Sequence, residues 1–150
     1  MNSSAPLWQR TSRVTREIWL AAEMSAPRYA RAFVPGVLVD WGLERLREDA
    51  ELVASELVIN ALRVTCVAGP ASFAAASLRR RAMIRVRLVL LEGSLIIEVW
   101  DPAVARPAPT RVMDPNAENG RGMLIVEALS AQWNSYDPAE GGKWVWAELR

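Results

Sequence analysis

Glu56 and Asn60 lie one helical turn apart in SELVINALRVT, residues 55–65, a stretch that is otherwise mostly apolar. A carboxylate can take a proton from a hydroxyl, and an amide oxygen can ligate a hard divalent cation without adding negative charge. On a helix of about 100° per residue, Asp49, Glu56, Asn60 and Arg63 share a sector of roughly 60°. Leu52, Val53, Leu57, Val58, Ile59 and Leu62 fill much of the remaining circumference. Taken alone, the stripe has two readings. It faces solvent while the rest packs, or it lines a wet crevice, because a buried carboxylate or amide without a partner is costly.

Asp101 ends the stretch SLIIEVWD. Side chains alternate along a strand, so Asp101 shares a face with Leu95, Ile97 and Val99, and whatever those three pack against, it faces too. A plain turn beginning at Asp101-Pro102 is the competing explanation. Further on, NGRGMLIVEAL places Gly120 and Gly122 before an amphipathic helix. Glycines there let backbone N–H groups approach an anion at the positive end of the helix dipole, although two glycines also mark an ordinary turn and cap. In chain order these pieces amount to a base, a metal ligand, an acceptor for a base edge and a phosphate cradle.

The elements that must position them follow from periodicity. Residues 1–16 are polar and aperiodic and read as a flexible N-terminal arm, with Trp8 able to dock on the domain at 17–150. EIWLAAE, 17–23, fits a strand. A helix runs from a Ser25 cap to Gly42, with Pro35 expected to kink or split it near Ala32. LREDAELVASELVINALRV is a second helix, and its early acidic residues complement the dipole. The alanine-rich stretch 66–82 is a connection. MIRVRLVLLEGSLIIEVWD gives two strands around Glu92-Gly93-Ser94. Residues 102–119 form a loop longer than the roughly 12 to 15 residues beyond which loops are usually functional or disordered. RGMLIVEALSAQW is a third helix and GGKWVWAEL a closing strand. The expectation is an α+β fold, a two-layer sandwich with a mixed, mostly antiparallel sheet covered by helices on one face.

These motifs, in this order, resemble the GHKL ATP-binding fold shared by gyrases, Hsp-type chaperones, sensor histidine kinases and mismatch-repair ATPases. The chain is most similar to the small bacterial anti-sigma-factor serine/threonine kinases, through RYARAFV, DAELVASELVINAL, IIEVWDP, GRGMLIVEALSAQW and GGKWVWAEL. The resemblance implies that Glu56 is the general base and that Asn60 ligates the magnesium bridging the phosphates of ATP. It implies that Asp101 accepts from the adenine amino group, and that Gly120, Arg121, Gly122 and Met123 contact the nucleotide with Arg63. Residues 102–119 would be the lid. The implied partners are a sigma factor and an antagonist protein phosphorylated on serine or threonine, with the kinase a homodimer. A non-catalytic module that senses nucleotide or simply sequesters a partner is the alternative. The chain departs from the family pattern after Asp101, where Pro102, Ala103, Val104 and Ala105 replace glycines, and at Trp144, near a usual threonine.

Composition narrows the field independently. A chain of 150 residues suits one domain, and a net charge of +1 from 18 basic and 17 acidic residues disfavours a dedicated polyanion binder. The run Arg79 to Arg81 has no interleaved aromatics and reads as a solvated loop, so no direct nucleic-acid contact is expected. No histidine is present, which excludes histidine-based triads and phosphohistidine chemistry within the chain. A single cysteine cannot form an internal disulfide, and neither a signal sequence nor a long apolar run is seen, so a cytoplasmic protein without membrane contact is expected. Trp100, Trp144 and Trp146 fall on the strand face opposite Val99, Val145 and Ala147. Those indoles form an exposed patch for self-association or a protein partner, a surface covered by Trp8 and the N-terminal arm, or a single exposed tryptophan edge.

Overall fold

The computed structural model describes residues 5, 6, 8, 14–67, 82–102 and 118–150. Strand β1, Thr15–Ala21, is followed by helix α1, Ala26–Trp41, a 3-10 turn at Glu44–Leu46, and helix α2, Arg47–Val67. Strands β2, Met83–Leu91, and β3, Ser94–Asp101, precede helix α3, Glu118–Leu129. The chain closes with β4, Gln132–Tyr136, and β5, Lys143–Leu149. The sheet order is β1-β2-β3-β5-β4, and every adjacent pair is antiparallel. The expected α+β two-layer arrangement is therefore present, with a fully antiparallel sheet among the described residues. The lid residues 103–117 and the run Arg79 to Arg81 lie outside the described residues.

The hairpin turn fixes the register. Glu92 and Gly93 connect β2 to β3, with Gly93 at φ 74°, a conformation that a side chain makes costly. Leu91 then pairs with Ser94, which sets Leu88 opposite Ile97 and Val86 opposite Val99. These residues join Ile84, Val145 and Ala147 in one core with the inward faces of α1 and α2. Because the strand period is two, Asp101 falls on this same face.

Pro35 does not split α1, which is one helix from Ala26 to Trp41, so of the two expected effects a break near Ala32 is absent. Proline in a helix interior costs roughly 3 kcal/mol. Burial of Val34, Val37 and Leu38 is worth about 1.5–3 kcal/mol each, so packing outweighs the lost backbone bond. The bond is lost at the carbonyl of Arg31, an exposed residue where water can replace it. Ser25 does occupy the N-cap position, but its side chain makes no capping bond. Its carbonyl accepts instead from the Arg28 and Tyr29 N–H groups at 3.1 and 3.3 Å.

The third helix is shorter than expected at its C-terminal end. It stops at Leu129, and Gln132–Tyr136 forms an edge strand against β5. The segment QWNSY has no apolar alternation to announce a strand, and pairing with β5 supplies the conformation. At the other end, β1 begins at Thr15, so the last two residues of the expected arm belong to the sheet.

The sheet face away from the helices is a polar-aromatic layer. Trp144 and Trp146 are buried, and Trp8 meets Trp146 edge-on at 6.0 Å. The row of indoles is thus largely covered and does not form a broad exposed patch, although Trp19 is half exposed. At the centre of the layer, Arg87 pairs with the fully buried Glu98 directly opposite it on β3. The Tyr136 hydroxyl donates to Glu98 at 3.2 Å, and Arg87 lies 4.3 Å above the Trp144 ring. Burial raises the Glu98 carboxyl from 4.5 to about 7 against the pull of Arg87 and Tyr136, and burial with the nearby Glu98 charge pushes the Tyr136 hydroxyl up as well.

The folded state holds the Glu98 proton more tightly than the unfolded chain does. Its contribution to stability is fully present below about pH 4.5 and is lost as pH rises toward about 7, a change of roughly 3 kcal/mol. Urea unfolding at pH 5 and pH 7.5 should therefore show a larger fall for the wild type than for Glu98→Gln. Equal slopes for the two proteins would contradict the assignment.

Candidate nucleotide site

Helix α2 carries the polar stripe, and its members differ in burial. Glu56, Asn60 and Arg63 are all half-buried, whereas Asp49 is exposed. Around them Val53, Ala54, Leu57, Val58 and Ala61 are sealed in the core. The other hydroxyls on the helix are satisfied locally: Ser55 donates to the Leu52 carbonyl at 2.9 Å and Thr65 to the Ala61 carbonyl at 2.7 Å. The three stripe residues thus lie at the partly exposed edge of a helix that is otherwise sealed in the core.

Helix α3 packs beside α2. At the contact, Gly122 lies so close to the Glu56 carboxylate that a Cβ there would collide with Oε2. The helix begins at Glu118, three residues earlier than the start at Arg121 read from the sequence, so Gly120 and Gly122 both fall inside it. In a regular α-helix the first four N–H groups lack intrahelical partners. Gly120 is among those four, while the Gly122 N–H points back to the carbonyl of residue 118. Gly122 therefore contributes clearance for Glu56, a role that the glycine spacing by itself did not separate from an anion cradle. Arg121 is exposed, and Met123 is half-buried against the core.

Asp101 is fully buried at the end of β3, on the face toward the helices. Its neighbour across the sheet is Lys143, whose Nζ lies 3.9 Å from Asp101 Oδ2. Sequence reasoning missed Lys143 and pointed to Trp144 instead. Trp144 belongs to the opposite face, packed on Tyr136 at 6.4 Å between ring centres, so it makes no part of the surface around Asp101. Strand parity was the available signal: Lys143 shares a face with Val145, and Val145 with Val99. A cavity of about 370 Å³ also opens on the far face, lined in part by Arg87, Tyr136, Trp8 and Glu140, and it includes none of Glu56, Asn60 or Asp101.

The structure thus joins Glu56 directly to Gly122, and places Asp101 on the sheet beneath the helix layer that carries Glu56 and Asn60. A half-buried carboxylate and amide one turn apart, a helix N-terminus beside them and a buried carboxylate on the adjoining sheet suit a ligand with a polyanionic end and a hydrogen-bonding base. The sequence profile of the histidine kinase-like ATPase domain matches residues 20–149. The chain belongs to that family, whose domain binds ATP. A search of curated proteins found no match. Among the described residues no helix is long and apolar enough to cross a membrane.

Two glycine substitutions should separate clearance from backbone conformation. Gly122→Ala meets only the movable end of the Glu56 side chain and sits in a helix, where alanine is favoured by about 0.5–1 kcal/mol. Its Tm should be unchanged or slightly higher. Gly142→Ala adds a Cβ against the Asp101 carbonyl and the Trp100 ring at φ 73°, and should cost more than about 1 kcal/mol. Thermal unfolding of both variants checks the contrast, and a large loss in Gly122→Ala would show that the Glu56 contact is structural.

Proposed function

We propose that this protein is an ATP-binding regulator of the anti-sigma-factor kinase kind, which binds a sigma factor and phosphorylates a serine or threonine of an antagonist protein. The observation that carries this reading is the placement of Glu56 against the first turns of α3, with Asp101 buried on the sheet below. Glu56 is the only carboxylate of the stripe that is half-buried, and it accepts the proton of the attacking hydroxyl. Asp101, an acceptor only when ionised, takes a hydrogen bond from the adenine amino group.

The donor set fits magnesium with a nucleotide. Among the described residues no group of three His, Cys, Asp or Glu could hold a metal unaided. Magnesium is commonly held through one or two protein oxygens together with substrate phosphates and water, and the Asn60 amide oxygen suits that arrangement. When bound, magnesium-ATP supplies the phosphoryl group and neutralises phosphate charge. The Gly120 N–H at the start of α3, with Arg121 and Arg63, offsets the remaining charge, and Met123 closes the apolar side. A second copy of the chain is the homodimeric partner in this reading.

One observation favours the second reading, sequestration of a partner without phosphorylation: Lys143 stands 3.9 Å from the buried Asp101 carboxylate, so its charge is offset within the chain. Transfer of labelled phosphate from ATP to candidate antagonist proteins distinguishes the two. Glu56→Ala should lower transfer by about 10²- to 10⁴-fold while ATP affinity is retained. Transfer surviving in Glu56→Ala would remove the base assignment, and absence of magnesium-ATP binding to the wild type by calorimetry would leave sequestration.

A further inference from the structure

Lys143 is the first residue of β5 and stands opposite Asp101 in the β3–β5 register. Both project toward the helices, because Ile97, Val99, Val145 and Ala147 all lie in the helix-side core. The lysine side chain is only 12% exposed. Withdrawing an ammonium from water is costly, and a long flexible side chain would ordinarily carry it outward. At 3.9 Å the Lys143–Asp101 contact is an ion pair longer than a hydrogen bond. The ammonium has three donors, and a carboxylate can accept more than two hydrogen bonds. An acceptor and a donor therefore stand side by side at the end of β3.

The backbone holds this pair in place. The Trp100 indole N–H donates to the Gly141 carbonyl at 3.0 Å, and Gly142 packs against the Asp101 carbonyl and the Trp100 ring with no room for a Cβ. The turn between β4 and β5 is thus clamped to the end of β3, and the residue that follows it is Lys143.

We propose that Lys143 is a second base-reading residue, whose ammonium donates to the ring nitrogen flanking the adenine amino group that Asp101 accepts. The proposal rests on the ATP reading above. An amino group beside a ring nitrogen presents a donor next to an acceptor, and the carboxylate–ammonium pair is its complement. Lys143 thereby adds base specificity at a position where the sequence had drawn attention to Trp144.

Calorimetry with ATP, 1-deaza-ATP and 7-deaza-ATP tests it on the wild type, Lys143→Met and Asp101→Asn. Lys143→Met should bind ATP about 10- to 100-fold more weakly, as expected for a lost hydrogen bond from a charged group. One of the two deaza analogues should bind the wild type with a comparable loss and lose nothing further in Lys143→Met. If both analogues bind the wild type as ATP does, the proposal is overturned. It is equally overturned if Lys143→Met binds ATP as tightly as the wild type or more tightly, which would mean that the lysine competes with the base for Asp101. Should Lys143→Met fail to fold, the analogue series on the wild type decides alone. A wild type that binds no ATP at all would overturn the ATP reading and this proposal together, whereas ATP binding that weakens in Asp101→Asn but ignores both ring nitrogens would overturn only this one.

Discussion

Strand β3 pairs on both sides, with β2 and with β5, and the rest of the structure depends on the register of those two ladders. The two-residue turn at Glu92-Gly93 sets the first ladder. From there each residue of β3 is assigned to one layer or the other by alternation. Leu95, Ile97, Val99 and Asp101 go to the helices, while Ile96, Glu98 and Trp100 go to the opposite face. A slip of one residue would exchange the two sets, moving Asp101 away from α2 and Glu98 into the apolar core. The burial of both carboxylates makes such a slip expensive, so the polar residues enforce the register along with the apolar ones.

Glu98 and Asp101 are three residues apart, and each is compensated by a cation from a neighbouring strand. Arg87 faces Glu98 from β2, and Lys143 faces Asp101 from β5. The consequences differ. The Arg87–Glu98 pair is enclosed by Tyr136 and the Trp144 ring, and its hydrogen bonds are spent within the protein. Such a network stabilises a unique arrangement when complete and is costly when one member is removed. The Lys143–Asp101 pair is looser and lies on the helix side, which suits it to exchange partners with a ligand.

Trp100 couples the two faces. Its side chain lies on the far side of the sheet, yet its indole N–H holds the turn that delivers Lys143 to Asp101. The aromatic layer on that face therefore helps to place Asp101 and Lys143 on the other. Helix α3 shows a similar economy. Its glycine at 122 removes one side chain where α2 and α3 approach, and the space is taken by the Glu56 carboxylate.

Much of this was legible in the chain itself. The period-2 pattern of SLIIEVWD placed Asp101 on the core side, and the spacing of Glu56 and Asn60 put both on one edge of a largely apolar helix. The turn residues Glu92-Gly93 also implied the hairpin, and with it the Arg87–Glu98 pairing, had the register been counted. These features depend on neighbours close in sequence, and local geometry suffices to read them. Other features depend on partners distant in the chain. The strand at Gln132–Tyr136 exists because β5 pairs with it, α1 continues through Pro35 because its buried face outweighs one lost hydrogen bond, and Gly122 has its meaning only once Glu56 arrives from another helix. Lys143 was a lysine beside a tryptophan in the sequence. Only the β3–β5 ladder, joining residues more than 40 positions apart, decided that the lysine meets Asp101 and the tryptophan faces away.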